Sequence, residues 1–216
     1  VNLKLQEPKI TGNLIKSEDL QSTADNAVRT EDDIVGFSFV NDNLENLNAH
    51  IIEIRNCTFE NCRFINCNLN GLYFEDVMFK NCDISNNDFS ESVIRRVKFI
   101  GCKTIGTNFS EVMFDSDSFE ECLSRYINFF SAKCKNVSFK NSDFSSGIFQ
   151  NCNFKSVEFN RCKLTETEFL HTPLADIDFT TSDIGGIMLS AEDLCGAIVT
   201  PIQACDLSRF LGLVVK

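Results

Sequence analysis

Three residue classes in this chain could carry chemistry: eleven cysteines, two histidines, and a surplus of carboxylates, 31 Asp and Glu against 20 Lys and Arg. Thiols could serve as nucleophiles, metal ligands or disulfide partners. Eight of the eleven (Cys57, Cys62, Cys67, Cys82, Cys102, Cys122, Cys152 and Cys162) fall in one slot of a five-residue frame. A line of side chains in one slot does not supply the convergent, tetrahedral ligand set of a metal site. Their number is odd and they follow core positions, so they read as small buried hydrophobes rather than a disulfide scaffold, in a reducing cytoplasm. His50 and His171 lie far apart in the chain, with no phosphate loop or Ser/His/Asp spacing around them. The expectation is a protein that is not an enzyme and has no cofactor or metal. The acids remain, and their chemistry is recognition of a basic surface.

The frame positions everything else. Counting in fives from Ile34 to Val199 gives 34 slots, nearly all apolar, and 18 of the 21 Phe fall in them. Neither a helical period of 3.6 nor a strand period of 2 produces this pattern. Five residues that form a short extended piece and then a corner do produce it. On the extended piece the central residue and the one two positions earlier share the inward face, while the other three face water or turn. Four such sides close a square of twenty residues.

That square can be tested inside the sequence, because stacked coils should repeat their chemistry every twenty residues. Phe39, Phe59, Phe79, Phe99, Phe119, Phe139, Phe159 and Phe179 form one such column, and Phe89, Phe109, Phe129, Phe149 and Phe169 a second. Cys62, Cys82, Cys102, Cys122 and Cys162 form a thiol column, Val77, Val97, Val137 and Val157 a valine column, and Asn48, Asn68, Asp88, Asn108 and Asn128 an outer run of amides and a carboxylate. The fold expected is all-β, a quadrilateral β-helix of about eight coils with a short C-terminal α-helix. Coils stack about 4.8 Å apart, which makes a rod of roughly 40 Å. Its core is apolar enough to stand alone, since a fully buried Phe contributes about 1.5 to 3 kcal/mol.

Three parts of the chain follow from this frame. Residues 1–33 precede it and are expected to cap the N-terminal end, with a short helix beginning near Ser17 to Leu20; residues 34–199 form the solenoid. Residues 200–216 begin with Thr200, Pro201 and Gln203, a capping box with proline at the first helical position, and the helix should run to Leu211 with Gly212 as its stop. Its apolar residues exceed what a cap needs, so Ile202, Cys205, Phe210, Leu211, Leu213, Val214 and Val215 are read as a homodimer contact between C-terminal ends. One place in the interior is polar: Thr104 and Ser124 sit in central slots and Asp117 falls in the valine column. Either Asp117 is hydrogen-bonded inside or the chain bulges and turns it out; the cost of burying a carboxylate favours a bulge over residues 115–126. No apolar run of about 18 residues and no signal-peptide pattern occurs, so the reading is cytoplasmic, without membrane contact.

Stretches such as Cys67-Asn68-Leu69, Cys82-Asp83-Ile84, Ser142-Asp143-Phe144 and Cys152-Asn153-Phe154 resemble the loose consensus of the pentapeptide-repeat proteins. The C-terminal pattern is narrower: Leu194-x-Gly196, then Thr200-Pro201-x-Gln203-Ala204, then Leu211-Gly212-Leu213-Val214-Val215. It resembles the quinolone-resistance (Qnr-type) branch, especially the chromosomal versions of Gram-positive bacteria. That resemblance implies a right-handed quadrilateral β-helix, dimeric through its C-terminal ends, that mimics DNA, binds type II DNA topoisomerase (gyrase or topoisomerase IV) and protects it from fluoroquinolones, without binding nucleic acid itself. The contacts would be acids: Glu91 and Glu111 in one outer column, Asp115, Glu120 and Glu121 in the polar stretch, and Glu158, Asp176 and Asp178 toward the C-terminal end. The alternative is a structural or interaction solenoid with another protein partner. A net charge of −11 is modest beside DNA's one charge per about 1.7 Å.

Overall fold

The computed structural model describes residues 3–17, 19–50 and 52–213. The chain winds into a β-solenoid of about seven turns. Its strands are β1 (Ile15–Ser17), β2 (Ile34–Val35), β3 (Phe37–Val40), β4 (Asn43–Glu45), β5 (Glu53–Glu60), β6 (Arg63–Ile65), β7 (Tyr73–Lys80), β8 (Val93–Ile100), β9 (Met113–Asp115), β10 (Ser118–Glu120), β11 (Lys133–Lys140) and β12 (Asn153–Asn160). The main sheet runs β1-β3-β5-β7-β8-β10-β11-β12, with β2 and β9 filling the same ladder, and β4 pairs with β6 on another side. Every pairing is parallel, and the register from β3 onward is the sequence period itself: Phe39 lies opposite Phe59, Phe59 opposite Phe79, Phe79 opposite Phe99 and Phe99 opposite Phe119. After β12 the coils continue through single parallel bridges, such as Asp178 with Ile198, without forming further strands among the described residues.

Central residues and those two positions earlier point inward, and both phenylalanine columns are buried. Rings in the first column stack at 4.5 to 6.0 Å, from Phe99 on Phe119 to Phe159 on Phe179. Phe109 and Phe129 of the second column meet Phe119 edge-on at 5.9 and 5.8 Å, the offset and T-shaped geometries that ring quadrupoles favour.

The corners have their own rule. From Gly36 to Asp176, every described residue two after a central slot has positive φ, as in Asn61 at 54°, Asn81 at 52° and Glu111 at 60°. Left-handed backbone costs most residues about 1 to 2 kcal/mol and costs Asn and Gly less, which is why amides crowd these positions. Asn87 is not a corner residue: it sits two before a central slot and is buried.

The expected bulge over residues 115–126 does not form. β9 and β10 both stay in register with β8 and β11, and Asp117 is fully buried. It stays inside because its Oδ1 accepts the Val97 N–H at 2.7 Å. In the neighbouring lane the Thr104 hydroxyl bonds Ser124 at 2.7 Å.

At the N-terminal end α1 (Leu20–Thr30) begins at an Asp19 cap that accepts from Ser22 and buries Leu20, Ala24 and Ala27. Its first N–H groups are orphans by geometry, and Leu20 N–H finds Asp42 at 2.6 Å. At the other end α2 (Pro201–Leu207) starts at the Thr200–Gln203 capping box, continues as a 3-10 turn over Ser208–Leu211 and stops at Gly212, φ 71°. Gln203 also donates to the carbonyls of Phe179 and Ser182, which ties the helix to the last coil.

A candidate protein-binding surface

Nine of the thiols are buried and out of reach of chemistry, whereas Cys195 and Cys205 are exposed. Hydrogen bonding with the Cys102 thiol, then burial, pushes Cys82 up to about 12; burial pushes Cys152 up to about 12 and Cys162 to about 11. A protonated thiol is neither nucleophile nor ligand. All eleven cysteines are free. The slot does more than pack: each thiol of the column points at the carbonyl of the coil before, as Cys82 does to Phe59 at 3.3 Å and Cys122 to Phe99 at 3.3 Å. Among the described residues no group of three or more His, Cys, Asp or Glu is placed to hold a metal ion. No helix of the described residues is long and apolar enough to cross a membrane.

Outside, the twenty-residue register sets charges one coil apart, and many neutralise each other. Lys80 meets Glu60 at 2.7 Å, Lys135 meets Asp115 at 2.8 Å, and Lys140 meets Glu158 at 3.2 Å. Arg96 is nearly buried between Asp76 at 2.7 Å and Glu75 at 2.6 Å. Such pairs contribute little each at an exposed surface, about 0 to 1 kcal/mol, yet they occupy most of the bases in the middle of the rod.

Against that background six of the eight candidate acids separate into two sets. Asp115 and Glu158 are held by lysines, and Glu158 also accepts from Ser138. Glu91, Glu111, Glu121 and Asp176 stand exposed on left-handed corners and, among the described residues, meet no cation. Glu120 is half-buried beside Glu121. Asp178 accepts twice from Thr180, and those hydrogen bonds hold its carboxyl below the usual range. The structure stacks Glu91 over Glu111 but does not gather the eight on one face. Glu121 shares its corner with Asn61 and Asn81, Asp176 with Asp76 and Arg96.

The C-terminal end is the apolar counterpart. Ile202 is 78% exposed, Leu211 66% and Leu213 58%. Cys205 is exposed and Phe210 half-buried, whereas Val214 and Val215 lie outside the described residues. A groove of about 440 Å3 runs between the last coil and α2, lined by Leu194, Val199, Ala204, Leu207 and Leu213.

One surface feature has no counterpart in the sequence reading. Residues before β1 lie along the rod as an arm: Thr11 N–H bonds Asn56, Lys9 N–H bonds Asp76, and Glu7 pairs with Lys98. Two residues of arm thus advance about one coil. Asn56 and Asp76 share a corner column, a regularity visible in the sequence, but nothing in their spacing reveals what binds there.

A family model described as a pentapeptide repeat region matches residues 52–129, 73–146 and 92–169. Among solved structures, full-length QnrB1, a plasmid-mediated fluoroquinolone resistance protein, is 18% identical, with 82% of this chain and 100% of that chain covered and a TM-score of 0.47. HetL, involved in heterocyst differentiation regulation in the cyanobacterium Nostoc, is 11% identical over 86% of this chain and 97% of its own, TM-score 0.39. Rfr23 from the cyanobacterium Cyanothece is 12% identical over 83% and 99%, TM-score 0.29. No curated protein matches the chain in sequence. The matched spans together run from residue 52 to residue 169, more than half of the sequence, and the chain belongs to the pentapeptide-repeat family.

Proposed function

We propose that this protein is a non-catalytic, cytoplasmic rod of the Qnr-like branch, Gram-positive chromosomal type, that binds type II DNA topoisomerase as a DNA mimic. It dimerises through its C-terminal ends, enters the basic channel of gyrase or topoisomerase IV, and modulates the enzyme or protects it from fluoroquinolones. One observation carries this reading: most of the bases at mid-rod are taken up in ion pairs, while Glu91, Glu111, Glu121 and Asp176 project from corners with no cation among the described residues. The net charge of −11 is therefore expressed outward, at the ridges of the rod, where a basic channel meets it. The same sign disfavours direct binding of nucleic acid. The C-terminal sequence pattern supports the branch.

A second reading, an interaction solenoid for another protein, draws support from the scatter of those acids over several corners. DNA supercoiling by purified gyrase, with and without ciprofloxacin, separates the two. Titrating the protein should restore supercoiling in drug, or inhibit without drug in a manner that weakens as salt rises. Glu91→Lys with Glu111→Lys should abolish both. No effect in either reaction from a folded dimer moves the function to another partner.

A further inference from the structure

At four positions the slot two residues before a centre follows a hydrogen-bond rule. Its backbone N–H is met by the side-chain oxygen twenty residues later, as in Cys67 to Asn87 at 2.6 Å, Leu72 to Ser92 at 3.1 Å, Cys152 to Thr172 at 2.9 Å and Cys162 to Ser182 at 3.0 Å. The same side chain then donates to the carbonyl 23 residues earlier: Asn87 to Phe64 at 2.8 Å, Ser92 to Leu69 at 3.2 Å, Thr172 to Phe149 at 2.6 Å and Ser182 to Phe159 at 3.1 Å. Asn87 adds a second donation, to Ser85 at 3.1 Å. Each of these four side chains, unlike the valines of the same slot, is both acceptor and donor.

Asp117 obeys the first half of the rule, accepting Val97 N–H at 2.7 Å. Its other oxygen, Oδ2, is buried without a partner. By register the carbonyls that correspond to the Phe64 and Ser85 acceptors of Asn87 are those of Ile94 and Asp115, and a carboxylate has no proton to give. We infer that Asp117 is a neutral carboxylic acid in the folded protein, its Oδ2–H donating where the Asn87 amide donates in its own lane, so that the rod holds one proton in its core.

The surroundings agree. Burial, the largest influence, pushes the Asp117 carboxyl well above the usual range; backbone hydrogen bonds at Val97 and at Asp115 oppose it, the Asp115 charge adds to it, and the Arg96 charge pulls the other way. Arg96, on β8, is already held by Asp76 and Glu75. On β11 the facing group is Cys134, itself buried with its thiol pushed up. Among the described residues, the one cation that acts on Asp117, Arg96, is thus already committed to two other carboxylates.

The linkage has a definite sign. An unfolded Asp loses its proton near pH 3.9, whereas the folded one keeps it. Stability from this group is complete below that pH and falls as pH rises toward the folded value. Asp117→Asn supplies the acceptor and the donor without a proton. Its unfolding constant relative to the natural protein should therefore match near pH 4 and improve by about tenfold per pH unit above it. Urea unfolding of both proteins between pH 4 and pH 7 reads this directly. A difference that stays flat with pH, or a variant less stable at pH 7, overturns the inference. Infrared difference spectra provide a check independent of the variant's stability. The natural protein should show a protonated carboxylic acid carbonyl band at pH 7, absent from Asp117→Asn and shifted by carbon-13 labelling of Asp. Absence of that band also overturns it.

Discussion

A side chain two positions before an inward Phe or Leu is small for a reason that packing alone does not give. Where it is polar, it fits against the coil below and also satisfies backbone groups that the valines of the same slot leave alone. Thr172 is the clearest case, accepting Cys152 N–H at 2.9 Å and donating to Phe149 carbonyl at 2.6 Å while fully buried. Thr172→Val keeps the shape and removes both bonds, leaving a buried N–H and C=O unpaired. It should cost about 1 to 3 kcal/mol in urea unfolding, with Thr172→Ser costing less. A Thr172→Val loss no larger than that of Thr172→Ser would mean that the slot selects for size. This is also where sequence reasoning fell short. The cysteines and Asp117 were legible as inward by their spacing, but a hydrogen bond to a backbone carbonyl of another coil leaves no mark on residue type. Cysteine thus read as a mere hydrophobe, and Asp117 as too costly to keep inside.

Elements built from these residues were legible wherever the chain repeats or caps itself. Phe39 to Phe179 gave the register of the sheet, and Thr200, Pro201 and Gln203 gave the start of α2. The arm was not legible, because it has no period and its partners are met across the rod. Its docking is tied to an ionised group. Burial raises the Asp76 carboxyl, but the Arg96 hydrogen bond and charge and the Lys9 N–H outweigh it and hold the group below the usual range. A depressed folded value means a contribution complete above the ordinary carboxylate pH, about 3.9, and lost as pH falls through the folded value. Hydrogen exchange should therefore show protection at the Lys9 amide falling in acid below pH 4. Thr11, held by the uncharged Asn56 at 2.9 Å, should change less and serves as the internal control. Asp76→Asn should remove the acid dependence at Lys9. Equal acid sensitivity at both amides would place the transition elsewhere in the rod.

At the scale of the whole molecule, the proposed DNA mimicry depends on length as much as on charge. A solenoid of about seven turns at roughly 4.8 Å each spans only about 34 Å, so a longer acidic ridge requires two rods end to end. Ile202, Leu211 and Leu213, the exposed apolar residues around α2, are where a second copy would join. An isologous contact places each of them twice in one interface, so a single charge there is introduced in duplicate. Ile202→Glu, alone or with Leu211→Glu, should halve the mass seen in sedimentation velocity. Far-ultraviolet circular dichroism should stay unchanged, because both side chains lie outside the solenoid core. If the dimer is what reaches along the topoisomerase channel, the folded monomer should also lose the effect on gyrase supercoiling while keeping every acid on its corners. A monomer that still acts on gyrase would assign binding to one rod's own ridge, Glu91 and Glu111 first. A natural protein already monomeric at micromolar concentration would remove the C-terminal contact from the mechanism altogether.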